Sequence, residues 1–228
     1  MSMSHVEFTK EMKKTHTILV PMMLPIHFQF LRNILCKEGY RVEILKTEGQ
    51  QIIDEGLKNV HNDTCYPALL VIGQMIDALK SGKYDTAHIA LAITQTGGGC
   101  RASNYIHLLR KALVQAGFEH VPVISVNFSQ LEKNSGFKLT PKMLLRLLYA
   151  FLYGDMLMWI KNQRKPYELE KGSTDALVTT WIDTITAQFD SLSYMRMKHN
   201  YQEMLHDFAA LPRSQKPKIQ VGIDRKST

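Results

Sequence analysis

Apolar positions along this chain fall into two kinds of run. Short runs of five to seven residues, partly β-branched and bounded by polar residues, read as buried strands: 17–21 (TILVP), 41–45 (RVEIL), 88–94 (HIALAIT) and 121–126 (VPVISV). Longer runs with helical spacing lie between them. One covers 26–38, with Phe28, Leu31, Ile34 and Leu35 on one side and Gly39 as its stop. A short helix is predicted at 50–60. The next, 66–80, is apolar nearly all round (Leu69, Leu70, Val71, Ile72, Met75, Ile76) and so belongs in a core. A further helix carries Tyr105, Ile106, Leu109, Ala112 and Leu113 and closes at Gly117. Strand, helix and strand within about 30 residues is the size of a βαβ unit, so the pattern predicts an α/β fold with a parallel sheet.

Beyond the last strand the chain turns helical. Pro141 opens a long apolar helix, and two more patterns follow at 174–189 and 193–211. The organisation expected is a flexible N-terminus over 1–16 and an α/β lobe over 17–160. A helical cap or subdomain follows over 161–212. Residues 213–228 then form a linker and the truncated start of a further strand or lobe, with the strand at 218–223 (KIQVGI). The stretch 143–160 approaches the length of a membrane span, but Arg146, Gly154 and Asp155 interrupt it. Each charge near a bilayer centre costs about 2.5–3.5 kcal/mol on insertion scales, so a buried helix is the expectation and no membrane partner is assigned.

Composition narrows the classes. The 228 residues are 45% hydrophobic, ample for a core. The net charge of +7 is spread along the chain. Its densest basic stretch, 161–165 (KNQRK), has no nucleic-acid module around it, so no specific nucleic-acid partner is expected. Three cysteines and a polar, charged start argue against a disulfide framework, and a reducing cytoplasm is the expected compartment.

Candidate chemistry gathers at two cysteines. After the strand ending at Thr94 come Gly97, Gly98 and Gly99, then Cys100, then a helix. In an open α/β sheet, ligands bind at such a place, outside the carboxyl end of a strand and against a helix amino terminus. The positive end of a helix dipole favours thiolate, the metal-binding form of cysteine. Cys65 stands in a matching setting, preceded by the capping residues Asn62, Asp63 and Thr64 and followed by Pro67. Cys36, inside the first helix, reads as a small filler. No CxxC pair occurs, which argues against a zinc ribbon or a ferredoxin-type run. His61, four residues before Cys65, either completes a zinc site or caps and faces solvent. The glycine triplet lacks the G-x-G-x-x-G pattern, and there is no Walker A sequence.

The segments NDTCYPALLVIGQMIDALKSGKYD (62–85) and ITQTGGGCRASNY (93–105) together resemble the 2-hydroxyacyl-CoA dehydratase and CoA-substrate-specific enzyme activase group. More narrowly, they are similar to the cysteine-containing region that follows the ATPase modules in the long activase-like proteins. This resemblance implies a Rossmann-like α/β lobe that helps hold an iron–sulfur cluster, [4Fe–4S] in the dehydratases. There an ATP-driven activator supplies one electron to a CoA thioester. Carried over by motif, Cys65 and Cys100 are the metal ligands. Gly97, Gly98, Gly99 and Arg101 would border the cofactor, with Arg101 adding to the local field, meeting an anionic substrate, or standing as an exposed first-turn side chain. The family takes at least a third cysteine from a later lobe, and none follows Cys100 here. The ligand set of this chain is therefore incomplete, and the partners implied are other domains or subunits of a dehydratase/activase system, a CoA ester, or a further copy in an oligomer. The alternative is a non-catalytic α/β scaffold or small-molecule-binding lobe that has lost cluster ligation.

Overall fold

A computed structural model describes residues 6–61, 63–94, 105–126, 134–215 and 217. Four strands, β1 (Thr17–Val20), β2 (Arg41–Ile44), β3 (Ile89–Thr94) and β4 (Val123–Val126), form one sheet in the order β2-β1-β3-β4, every pair parallel. The lobe is α/β and Rossmann-like, as the alternation of strand and helix patterns predicts. Helices α1 (Met12–Thr15), α2 (Pro25–Lys37), α3 (Gln50–Asn59), α4 (Tyr66–Lys80) and α5 (Tyr105–Ala116) belong to it. The connections follow from the strand order. The chain passes from β1 outward to β2, returns across β1 to β3, and continues in that direction to β4. Right-handed crossovers therefore put α2 on one face and α4 and α5 on the other.

Burial explains each pattern. The central β3 is buried from Ile89 to Ile93 because both its faces are covered, so its sequence is a continuous apolar run. The edge strand β2 alternates instead, with Val42 and Ile44 buried and Arg41 and Glu43 exposed. Glu43 accepts a hydrogen bond from the Tyr84 hydroxyl at 2.5 Å; burial first, then this carboxylate, push the Tyr84 pKa up to about 12. On the other face α4 packs with β1, β3, β4 and α5 into the main core, around Ile72, Met75, Ile76, Leu91, Leu109 and Leu113.

Close approach of α3 and α4 depends on two glycines. A Cβ added at Gly73 would lie 1.9 Å from the Ile52 carbonyl oxygen, and one at Gly56 would lie 2.5 Å from that of Leu69. Each helix thus presses bare backbone against the other.

Residues 6–16 depart from the flexible lead-in expected over 1–16, of which 1–5 lie outside the described residues. Phe8 is completely buried, and its N–H is donated to Asn134 Oδ1 at 3.1 Å. A single aromatic anchor in a polar stretch leaves no periodic trace in sequence. Cys36 also departs from the filler reading: it is exposed, one helical step past the buried Ile34 and Leu35.

Helix α6 (Pro141–Arg164) runs four residues past the expected end at Ile160. It is the one helix among the described residues long and apolar enough to cross a membrane by length and composition. Its Arg146 is buried, and the guanidinium donates to Glu38 at the carboxyl end of α2, 2.5 Å away. The chain divides into two compact units, Met1–Ala150 and Phe151–Thr228. Within the second, α7 (Ser173–Ala187) and α8 (Tyr194–Ala210) pack with the later turns of α6. Buried Asn200 donates to the Tyr153 hydroxyl at 2.8 Å and to Gln188 Oε1 at 2.7 Å, and Arg164 donates to the Phe208 carbonyl. The strand expected at 218–223 lies outside the described residues.

Gly73→Ala drives a methyl into the Ile52 backbone and lowers stability by about 1–3 kcal/mol. The check is urea unfolding, where the midpoint drops at constant slope. An unchanged midpoint would contradict the close α3–α4 contact.

Candidate functional site

The strand order reverses between β1 and β3, and in an open α/β sheet such a switch point, at the carboxyl ends of the strands, is where ligands bind. Val20, Ala92, Ile93 and Val126 form an apolar floor there, with Phe28 and Leu35 of α2 beside it. Helices α2, α4 and α5, which return along the sheet, begin toward this end of the lobe. None carries an acidic residue in its first turn, so the positive ends of their dipoles are left uncompensated by first-turn carboxylates.

Cys65 occupies the N-cap of α4, as its sequence setting predicts. Its carbonyl accepts from the N–H groups of Ala68 and Leu69 at 3.0 and 3.2 Å, starting the helix, and Pro67 sits in the first turn where a missing N–H is harmless. The thiol makes no capping bond of its own. Its sulfur lies 3.4 Å from the hydroxyl oxygen of Tyr105, the first residue of α5. Tyr105 is itself buried, so its ring fixes the hydroxyl in place. The two cysteine-bearing segments, 62–85 and 93–105, therefore meet in space at Cys65 and Tyr105. Cys100, Gly97, Gly98, Gly99 and Arg101 lie outside the described residues.

The other candidates separate clearly. His61 is exposed and turns back on its own loop: its Nδ1 accepts the Asp63 N–H at 3.2 Å and lies 3.4 Å from the Asp63 carboxylate. Cys36 is an exposed free thiol on the outer side of α2. Among the described residues, no group of three or more His, Cys, Asp or Glu side chains is placed to hold a metal ion.

Gln74 frames the site and was hidden among apolar positions. It is buried in α4; its Oε1 accepts the Met22 N–H at 2.9 Å, and its Nε2 donates to the Thr47 carbonyl at 2.7 Å. One side chain thus ties α4 to the loops after β1 and β2. The sequence signal was a single amide in a helix apolar all round, which must find buried partners or not be there. Cys65 stands nine residues, about 13 Å of helix, toward the amino end from this clamp. Helical spacing makes Tyr105 an apolar position; its hydroxyl is what reaches Cys65.

Comparison with family models, with curated proteins and with solved structures found no match to this chain.

Gln74→Leu keeps the volume and removes both hydrogen bonds. The two partners are half-buried, so losing both bonds lowers stability by about 1–2 kcal/mol. Amide hydrogen exchange at Met22 should accelerate in this variant; an unchanged Met22 rate would show that Gln74 does not hold the loop after β1.

Proposed function

We propose that the chain is an iron–sulfur redox component related to the 2-hydroxyacyl-CoA dehydratases and their activase proteins, with Cys65 and Cys100 as cluster ligands. One observation carries this reading: the Cys65 sulfur lies against the first residue of α5, 3.4 Å from the Tyr105 hydroxyl. Cys100 precedes Tyr105 by five residues, at most about 18 Å of extended chain, so the second cysteine is tethered to the place where the first one stands.

The donor chemistry suits an anionic thiolate-bound group. Cys65 caps one helix, and the first turns of α2, α4 and α5 hold no carboxylate to repel it. Backbone N–H groups at the start of α4 favour negative charge beside Cys65, and the thiolate is the form that binds metal. The Tyr105 hydroxyl, 3.4 Å away, is placed to donate to a thiolate at that position, and such bonds to ligand sulfurs tune a centre's potential. Gly97, Gly98 and Gly99 would add loop amides, and Arg101 a positive charge. A cluster, [4Fe–4S] in this reading, supplies one-electron transfer to a CoA thioester or a small molecule. Two thiolates do not complete such a ligand set, so further ligands come from another domain or subunit of the same system.

The competing reading is an α/β binding or scaffold lobe without a cluster. The lack of any three-ligand group among the described residues favours it.

Anaerobic reconstitution with iron and sulfide separates the two. Iron counting with visible and EPR spectra should give a stoichiometric cluster in the wild type. Cys65→Ser and Cys100→Ser should each lose it, and Cys36→Ser should keep it. A chain that takes up no cluster, or takes one up regardless of Cys65 and Cys100, leaves the scaffold reading.

A further inference from the structure

The N-terminal segment, residues 6–16, is fastened to the lobe at both ends. At its start Phe8 donates its N–H to Asn134, and its carbonyl accepts the Gly136 N–H at 2.9 Å. Glu7 Oε1 accepts the Ser135 N–H at 2.9 Å. The fit is tight: a Cβ at Gly136 would stand 2.0 Å from the Thr9 carbonyl oxygen. At the other end His16 is 8% exposed, its ring edge-on to Phe8 at 6.4 Å and to His88 at 5.6 Å between centroids. The fastening at one end thus touches the fastening at the other through the Phe8–His16 ring contact.

We propose that His16 is an acid-sensitive latch: uncharged, it holds residues 6–16 against the lobe, and protonated, it releases them together with Asn134–Gly136. The charged groups facing it are His88 and Asp85, both from the turn ahead of β3. From its own segment it meets the Phe8 ring and the Thr15 hydroxyl, 2.9 Å from Nδ1. His88 Nδ1 lies 2.6 Å from the Asp85 carboxylate, and both side chains are more than half exposed. Burial, then repulsion from His88, hold His16 below the ordinary histidine value of 6.5, while Asp85 pulls weakly the other way. The released segment therefore binds a proton that the docked one refuses. Docking is at full strength above about pH 6.5 and weakens as pH falls from there through the lowered value.

The test is amide hydrogen exchange of the full chain between pH 7.5 and pH 5, corrected for intrinsic rates. Protection of the Phe8 and Gly136 amides should fall severalfold while that of the sheet amide of Leu91 holds. In His16→Gln the fall should vanish, and in His88→Gln it should shrink because the repelling imidazole is gone. Protection independent of pH in the wild type, or the same fall in His16→Gln, overturns the latch. Should His16→Gln fail to dock, the wild type decides alone: by NMR the His16 ring should titrate below 6.5 in step with the loss of protection. A ring that titrates at 6.5 or above overturns it.

Discussion

Burial of α4 on all sides is the constraint on which the rest of the lobe depends. A helix that meets solvent on one face can shift and rotate; one pressed between α3, the sheet and α5 cannot. Its position is set backbone to backbone, with Gly73 against the Ile52 carbonyl and Gly56 against that of Leu69. Because α4 is fixed, two polar groups on it acquire fixed places. Gln74 clamps the loops leaving β1 and β2, and Cys65, at the helix start, meets Tyr105. The crevice at the carboxyl ends of the strands is thereby framed by a rigid element instead of by loops alone.

The electrostatics of that crevice follow from topology. Parallel strands all end on one side, and every helix that returns from them starts there. The amino ends of α2, α4 and α5 consequently point from the same side of the sheet, α2 on one face and α4 and α5 on the other, and none is neutralised by a first-turn acid. At the opposite ends of the strands, the segment before β1 and the turn before β3 place His16 and His88 together. The lobe thus carries positive helix ends on one rim and the His16–His88 pair on the other.

Much of this was legible because the signals are local. Continuous apolar runs marked β1 and β3, alternation marked β2, and the all-round apolar stretch marked α4 with its bounds at 66 and 80. The N-cap setting of Cys65 could be read from the capping residues before it and Pro67 after it. What stayed hidden was tertiary. Phe8 is an isolated aromatic whose partners, Asn134 and Gly136, lie more than 120 residues away. Four more residues of α6 beyond Ile160 are polar, yet Arg164 there is held by the Phe208 carbonyl. The reach of the Tyr105 hydroxyl to Cys65 spans 40 residues and has no periodicity to announce it.

The central claim is that two separated cysteine segments serve one centre, and the most direct measurement is chemical bridging of their thiols in the cluster-free chain. Ligands of one cubane place their sulfurs within about 6–7 Å of each other, from metal–thiolate bonds near 2.3 Å. A short dithiol-reactive bridging reagent, applied to the Cys36→Ser chain and mapped by mass spectrometry, should join Cys65 to Cys100 within one molecule. Two thiols that are each capped singly, with no bridge between them, would contradict it.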